Sequence, residues 1–376
     1  MKSMREYLLC LFAAAAVTYL LTPPVRALAL KWGIMAPVRD RDVHATPTPR
    51  LGGLAMVGGL LTGLLLASKL PMMSAVFDGS QTVVALLSGV VIIVILGIVD
   101  DKWGLDAPTK LAGQVLAAGV MAFQGIAIIW LPFGGTFVLD PLTSVLFTVI
   151  IVLVSINAIN FVDGLDGLAA GIVTVAAGAF FVYAYLLSVD LGLERATLAT
   201  LISVLLVGMG IGFLPNNLFP ARIFMGDTGS MLLGLLLAAA TITLSGQVDP
   251  SALSGGVFFP ALLPVLLPLA VMAIPLVDLF LAVIRRTRAG RNPFAPDKQH
   301  LHHRLLEMGH SQRRAVFLMY AVTALISGAA LAIAFFPLPY ALVGTAIGVV
   351  IVFALVRKAP GDQAVRGISP FVDRTG

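Results

Sequence analysis

The run Asn157-Ala-Ile-Asn-Phe-Val-Asp-Gly-Leu-Asp-Gly-Leu-Ala-Ala-Gly171 sets two carboxylates, Asp163 and Asp166, where one long apolar stretch ends and another begins. A carboxylate in hydrocarbon is costly, so a pair at such a boundary points to a polar site at a membrane surface. The glycine after each aspartate lets a ligand approach the backbone. The plainer alternative is that both aspartates cap a helix. Adjacent Asp100 and Asp101 pose a related problem at the end of another apolar run, because a helix C-terminus repels anions. A divalent cation, a partner such as Lys102 or Lys110, or exposure to water would each offset that repulsion.

Further polar connections carry complementary groups. Asp227 lies in Phe224-Met-Gly-Asp-Thr-Gly-Ser230 just before an apolar helix. Backbone N–H groups there can meet phosphate oxygens, or Asp227 or Thr228 is simply the N-cap. Arg39, Arg41, His44 and Arg50 give a cationic face to a segment that Pro47 and Pro49 keep extended. That face suits a phosphate headgroup, and it also suits the ordinary excess of cations in cytoplasmic loops. Arg285-Arg-Thr-Arg288 precedes His300-Leu-His-His-Arg304, whose histidine spacing does not match a helical zinc motif and fits hydrogen bonding to an anionic substrate. Together these connections supply carboxylates, amides, histidines and cations, the set of groups used by Mg²⁺ with a phosphate-bearing substrate.

The elements that must position these groups are transmembrane helices. The chain has 376 residues, 59% hydrophobic and only 11% charged, against roughly 25% charged in soluble domains. An all-α polytopic membrane protein is expected, with about eleven spans. These are Arg5–Leu21, Gly52–Leu70, Thr82–Val99, Thr109–Ile129, Leu142–Asn160, Leu168–Leu187, Ala196–Leu214, Ser230–Ser245, Phe258–Ile284, Ala315–Phe336 and Tyr340–Val356. With the N-terminus outside, 20 of the 24 Lys and Arg residues fall on the cytoplasmic side, leaving Lys2, Arg5, Lys69 and Arg195 outside. Every polar connection above then faces the cytoplasm, as does the C-terminus. The net charge of +5 is met by membrane lipid and calls for no nucleic acid. Residues 1–356 read as one transmembrane catalytic domain and 357–376 as a mobile polar tail. Trp130 to Leu139 alternates weakly about Gly134-Gly135, as a small hairpin would. Cys10 alone can form no internal disulfide and reads as packing.

In four motifs, taken in order, the chain resembles the polyprenyl-phosphate N-acetylhexosamine-1-phosphate transferases: Asp100-Asp101, Asn157 to Gly167, Phe224 to Ser230 and His300-Leu-His-His303. The histidine form resembles the WecA-type branch, which uses UDP-N-acetylglucosamine (UDP-GlcNAc), rather than the muramoyl-pentapeptide branch with its three consecutive histidines. The resemblance implies transfer of a sugar 1-phosphate to undecaprenyl or decaprenyl phosphate with release of UMP, in the cell membrane. The product would serve lipopolysaccharide, teichoic acid or arabinogalactan linkage. It further implies Asp227 as ligand of Mg²⁺, or of Mn²⁺. Asp100 and Asp101 match the catalytic pair, with Lys110 near them. Asn160, Asp163, Asp166 and Asn217 match the nucleotide pocket, and His300, His302 and His303 the loop near pyrophosphate and sugar. His44, Arg50 and Arg304 are added as cationic substrate contacts, and a homodimer is compatible with the pattern.

Two other readings stay open on the sequence. The donor could be another UDP-hexosamine, such as UDP-MurNAc-pentapeptide. A secondary transporter would also have many spans interrupted by Pro and Gly, with Asp278 after Pro275 as its midplane group. The concentration of polar groups at one face, rather than mid-membrane, favours the enzyme.

Overall fold

A computed structural model describes residues 2–36, 47–77, 81–131, 137–189, 197–247, 284, 287–288 and 305–357. Among the described residues the long elements are α1 (Lys2–Lys31), α2 (Gly52–Ala67), α3 (Gln81–Trp103), α4 (Ala107–Phe123) and α5 (Pro141–Val162). They continue with α6 (Leu168–Val189), α7 (Thr197–Asn217), α8 (Gly226–Gln247), α9 (Gln312–Phe335) and α10 (Leu338–Arg357). Eight of these are long and apolar enough to cross a membrane, whereas α2 and α4, at 16 and 17 residues, are shorter. The expected count of eleven is therefore not reached among the described residues, and the expected ninth span, with Asp278, lies outside them apart from Ile284.

The helices begin where local chemistry satisfies their free N–H groups. Asp106 accepts from the Thr109 amide with Pro108 in the first turn of α4. Asp140 accepts from Leu142 and Thr143 with Pro141 opening α5, and Ser311 accepts from Arg314 at the start of α9. Several boundaries differ from expectation, α4 ending at Phe123 rather than Ile129 and α8 starting at Gly226 rather than Ser230, and that of α1 differs most. The first span was expected to stop at Leu21, but α1 continues through Pro23 and Pro24 to Lys31. Each proline removes an intrahelical hydrogen bond. Packing along α2 and α7 holds the helix: an added Cβ on Gly212 would stand 2.2 Å from the Ala15 carbonyl oxygen, and one on Gly59 2.7 Å from that of Ala14.

The centre of the bundle is α8, buried throughout from Thr228 to Ser245, while in α10 Ala341 alone is buried. Leucines, isoleucines and phenylalanines cover the outward faces of the peripheral helices, as a lipid-facing surface requires. Two helices approach α8 backbone to backbone through glycine. An added Cβ at Gly97 of α3 would lie 2.4 Å from the Thr228 Cα, and one at Gly234 of α8 would lie 2.5 Å from the Ile156 Cα of α5. Small residues at such crossings let membrane helices pack by dispersion.

Two short antiparallel ladders close connections at their necks. In one, β1 (Met35–Ala36) pairs with β2 (Thr48–Pro49), Met35 opposite Pro49. In the other, β3 (Trp130–Leu131) pairs with β4 (Phe137–Val138), Trp130 opposite Val138, which is the expected hairpin.

Candidate active site

The site forms where the C-terminal ends of α3, α5 and α7 meet the N-terminal ends of α2, α4 and α8. Its centre is Asp227, in the first turn of α8. Asp227 Oδ1 accepts from the Lys110 ammonium of α4 and the Asn160 amide of α5, both in very short contacts. Lys110 also contacts Asp100 Oδ2 at 2.8 Å, and Asn160 donates to Ser230 Oγ at 2.9 Å. One turn deeper, Asn157 donates to Gln114 Oε1 at 2.8 Å, and Gln114 Nε2 faces Met231 Sδ at 3.5 Å. Two polar rungs thus tie α4, α5 and α8 together inside an apolar bundle, where unsatisfied groups would be costly.

The adjacent aspartates of α3 have separate partners. Asp100 Oδ1 accepts the Leu105 amide at 2.7 Å while Oδ2 meets Lys110. Asp101 Oδ1 accepts the Asp227 amide at 2.8 Å, and its Oδ2 accepts the Thr228 amide at 3.1 Å and hydroxyl at 2.7 Å. Asp101 therefore caps α8 from another helix, and its charge lies at the favourable end of that helix dipole. This corrects the alternative in which Asp227 or Thr228 caps α8 itself. It also identifies what offsets the anionic pair: both carboxylates are buried, at 8% and 7% exposure, so water is not the answer. Lys102 turns away, its Nζ 4.5 Å from the Trp103 ring centroid and 6.0 Å from that of Trp32. Gly226 makes the junction possible with φ +69° and with no Cβ, which would fall 2.4 Å from an Asp101 oxygen.

Asp163 follows the last residue of α5. Its carboxylate makes no hydrogen bond or ion pair among the described residues, and its charged neighbours are Asp227, Arg50, Asp101 and Asp166. Burial, then repulsion from Asp227, pushes its pKa up to about 7, with Arg50 acting in the opposite direction. Arg50 also acts electrostatically on Asp227. It is placed by an unusual turn, because Leu51 adopts φ +88° and directs the Gly52 and Gly53 amides onto the Phe224 and Met225 carbonyls, each at 2.9 Å.

Asp166 and Asn217 are joined to the same connection by different bonds. Asp166 Oδ2 accepts the Ala221 amide at 2.9 Å, which ties the start of α6 to the connection between α7 and α8. Asn217 donates to the Ile223 carbonyl at 3.0 Å, and its buried Oδ1 has no partner among the described residues. His44, His300, His302, His303 and Arg304 lie outside the described residues, as does the 358–376 tail. Sequence reasoning did not single out Gln114, Thr228 or Ser230 as site residues. Gln114 could have been found, since it stands four residues after Lys110 on the same face of α4.

A cation fits the donor set. Asp227 Oδ2 receives no hydrogen bond among the described residues, and the Asp163 carboxylate is equally uncommitted beside it. Among the described residues no three carboxylate, histidine or cysteine groups gather to hold a metal. Mg²⁺ does not need three, because it is usually bound by one or two carboxylates with substrate phosphates and water.

Residues 83–245, from the first turn of α3 to the last turn of α8, match the family model described as glycosyl transferase family 4. The chain is 48% identical over 367 residues to a decaprenyl-phosphate N-acetylglucosaminephosphotransferase of Mycolicibacterium smegmatis, covering 95% of this chain and 90% of that protein. It is 33% identical to a probable undecaprenyl-phosphate N-acetylglucosaminyl 1-phosphate transferase of Bacillus subtilis, covering 83% and 80%. A phospho-N-acetylmuramoyl-pentapeptide-transferase of Desulforudis audaxviator is 32% identical, with 82% and 92% covered. With its polar centre between the ends of buried helices, this chain belongs to glycosyl transferase family 4, as a multi-pass membrane sugar-phosphate transferase of the WecA type.

Proposed function

We propose that the protein transfers N-acetylglucosamine 1-phosphate from UDP-GlcNAc to a polyprenyl phosphate at the cytoplasmic face, releasing UMP, with Mg²⁺ as cofactor. The observation that carries this reading is the convergence of Lys110, Asn160 and the Asp101-capped end of α8 on Asp227, with one Asp227 oxygen left open beside Asp163. The names of the 48% and 33% identical relatives support the lipid acceptor and the sugar, and His300-Leu-His-His303 supports the donor. Decaprenyl phosphate is the favoured acceptor because it appears in the name of the former.

In this reading an oxygen of the lipid phosphate attacks the β-phosphorus of the donor, the bond from that phosphorus to the bridging oxygen breaks, and UMP leaves with the electron pair. In-line phosphoryl transfer is mostly positioning and charge neutralisation. Lys110 and Arg50 offset the anionic groups, Asn160 fixes the Asp227 rotamer, and Asp101 fixes the helix end that carries it. Asp227, with Asp163 adjacent, would hold Mg²⁺, which when bound neutralises pyrophosphate oxygens. The lipid phosphate has a second pKa of about 6, so it is largely ionised at neutral pH and needs little help from a base. Asp100, held by Lys110, is placed to orient it. Asn217 Oδ1, without a partner among the described residues, can accept an N–H group of the nucleotide base.

The test is an assay of purified protein with Mg²⁺, polyprenyl phosphate and either UDP-GlcNAc or UDP-MurNAc-pentapeptide. Lipid-linked product from UDP-GlcNAc alone is expected, with turnover reduced about 100-fold or more in Asp227→Asn. Direct attack predicts exchange of labelled UMP into UDP-GlcNAc only when lipid-linked product is supplied. Exchange in rigorously delipidated enzyme, lost in Asp100→Asn, would instead reveal a covalent intermediate.

A further inference from the structure

Between the end of α7 at Asn217 and the start of α8 at Gly226 the chain has no regular structure, so its backbone groups need partners from elsewhere. The amides of Ala221, Arg222 and Phe224 are taken by Asp166 Oδ2 at 2.9 Å, the Asn216 carbonyl at 2.9 Å and the Pro49 carbonyl at 2.8 Å. The carbonyls of Ile223, Phe224 and Met225 are taken by Asn217 and by the Gly52 and Gly53 amides. Two further anchors among the described residues are arginines from helices distant in sequence. Arg313, in the first turn of α9, donates from Nε to the Phe219 carbonyl at 2.9 Å, with its guanidinium 5.9 Å from the Phe219 ring centroid. Arg26, near the end of α1, donates from Nε to the Arg222 carbonyl at 2.9 Å. Neither arginine has a carboxylate partner among the described residues.

We propose that Arg26 and Arg313 are positioning residues that clamp the 218–225 connection and so set the donor-binding wall formed by Asn217 and the residues leading to Asp227. The assignment to the donor rests on the function proposed above. The physical case is that a charged donor strengthens a hydrogen bond to a carbonyl. Two such bonds on carbonyls three residues apart fix both ends of the exposed bend. The bend lies between Asn217, whose buried amide oxygen has no partner among the described residues, and the α8 terminus that carries Asp227. Because both arginines act on one short segment, their effects must be coupled rather than independent.

The experiment compares wild type, Arg26→Gln, Arg313→Gln and the double variant by hydrogen exchange and by steady-state kinetics. Exchange at the Ala221, Arg222 and Phe224 amides is expected to be at least tenfold faster in the double variant, with the amides of α8 unchanged. The KM for UDP-GlcNAc is expected to rise two- to threefold in each single variant and by more than the product of the two in the double. The KM for polyprenyl phosphate and kcat should stay within about twofold, and Arg313→Lys, which keeps a cationic donor, should recover part of the loss. Unchanged exchange would overturn the clamp. Faster exchange with an unchanged donor KM would overturn its link to donor binding, as would an equal rise in both KM values. Absence of lipid-linked product from wild-type enzyme with UDP-GlcNAc would instead defeat the underlying function, and the exchange data would still judge the clamp.

Discussion

Asp101 and Thr228 lie on different helices, yet the Asp101 carboxylate takes both the Thr228 amide at 3.1 Å and its hydroxyl at 2.7 Å. Adjacent Asp100 instead pairs with Lys110 at 2.8 Å. Two neighbouring carboxylates therefore do different work: Asp101 holds the helix that carries Asp227, and Asp100 presents an ion-paired oxygen at the site. Asp101→Asn turns an amide group toward N–H donors, and should cost about 1–3 kcal/mol of stability as well as activity. Asp100→Asn keeps an acceptor for the Leu105 amide and should lose activity with a smaller change in stability. Thermal unfolding in detergent alongside turnover checks this, and an Asp101→Asn protein that melts like wild type would refute the capping role.

Gly97→Ala probes the same junction from the backbone. Its Cβ would meet the Cα and N of Thr228 at 2.4 and 2.7 Å, so α3 and α8 must move apart. Overpacking of this kind costs about 1–3 kcal/mol or more. It should also disturb the Asp101 and Asp227 pairing, lowering turnover. Gly119→Ala in α4 meets nothing within 4 Å and serves as the control, with stability equal to or slightly above wild type. Equal melting temperatures for the two variants would contradict the close approach.

Asp163 carries a pH prediction for the metal-free protein. Its pKa of about 7 lies above the unfolded value of about 3.9, so the folded state binds the extra proton. The cost of its charge is absent below about pH 4, grows between there and pH 7, and is complete above that. In EDTA, Asp163→Asn should therefore raise the melting temperature more at pH 8 than at pH 5. Unfolding curves at both pH values test it, and the same gain at each would remove Asp163 from its half-buried, anionic setting.

The distribution of Lys and Arg predicts a membrane orientation that labelling can test. On a Cys10→Ala background, cysteine at exposed Lys69 should label in intact cells, and cysteine at exposed Lys31 only after permeabilisation. The reverse pattern would place the site on the outer face.

The class of protein was legible in the sequence, and so was the gathering of polar residues at the ends of its apolar runs, because both depend on local chemistry. Apolar runs of spanning length have one economical fate in a bilayer, and carboxylates at the ends of such runs stand out against them. Alternation of spans is enough to bring Asp100, Lys110, Asn160, Asp163, Asn217 and Asp227 to one end of the bundle. What alternation does not contain is which atoms meet. The sequence left Asp100 and Asp101 an interchangeable pair, with Lys102 as plausible a partner as Lys110. Helix rotation decided between them, since Lys102 projects toward Trp32 and Trp103 while Lys110 reaches Asp100 and Asp227. Likewise the N-cap of α8 comes from a residue 127 positions away in the chain, because Gly97 and Gly226 let two backbones touch where a Cβ would have kept them apart. Such contacts depend on distances between helices, and only the packed tertiary structure sets those distances.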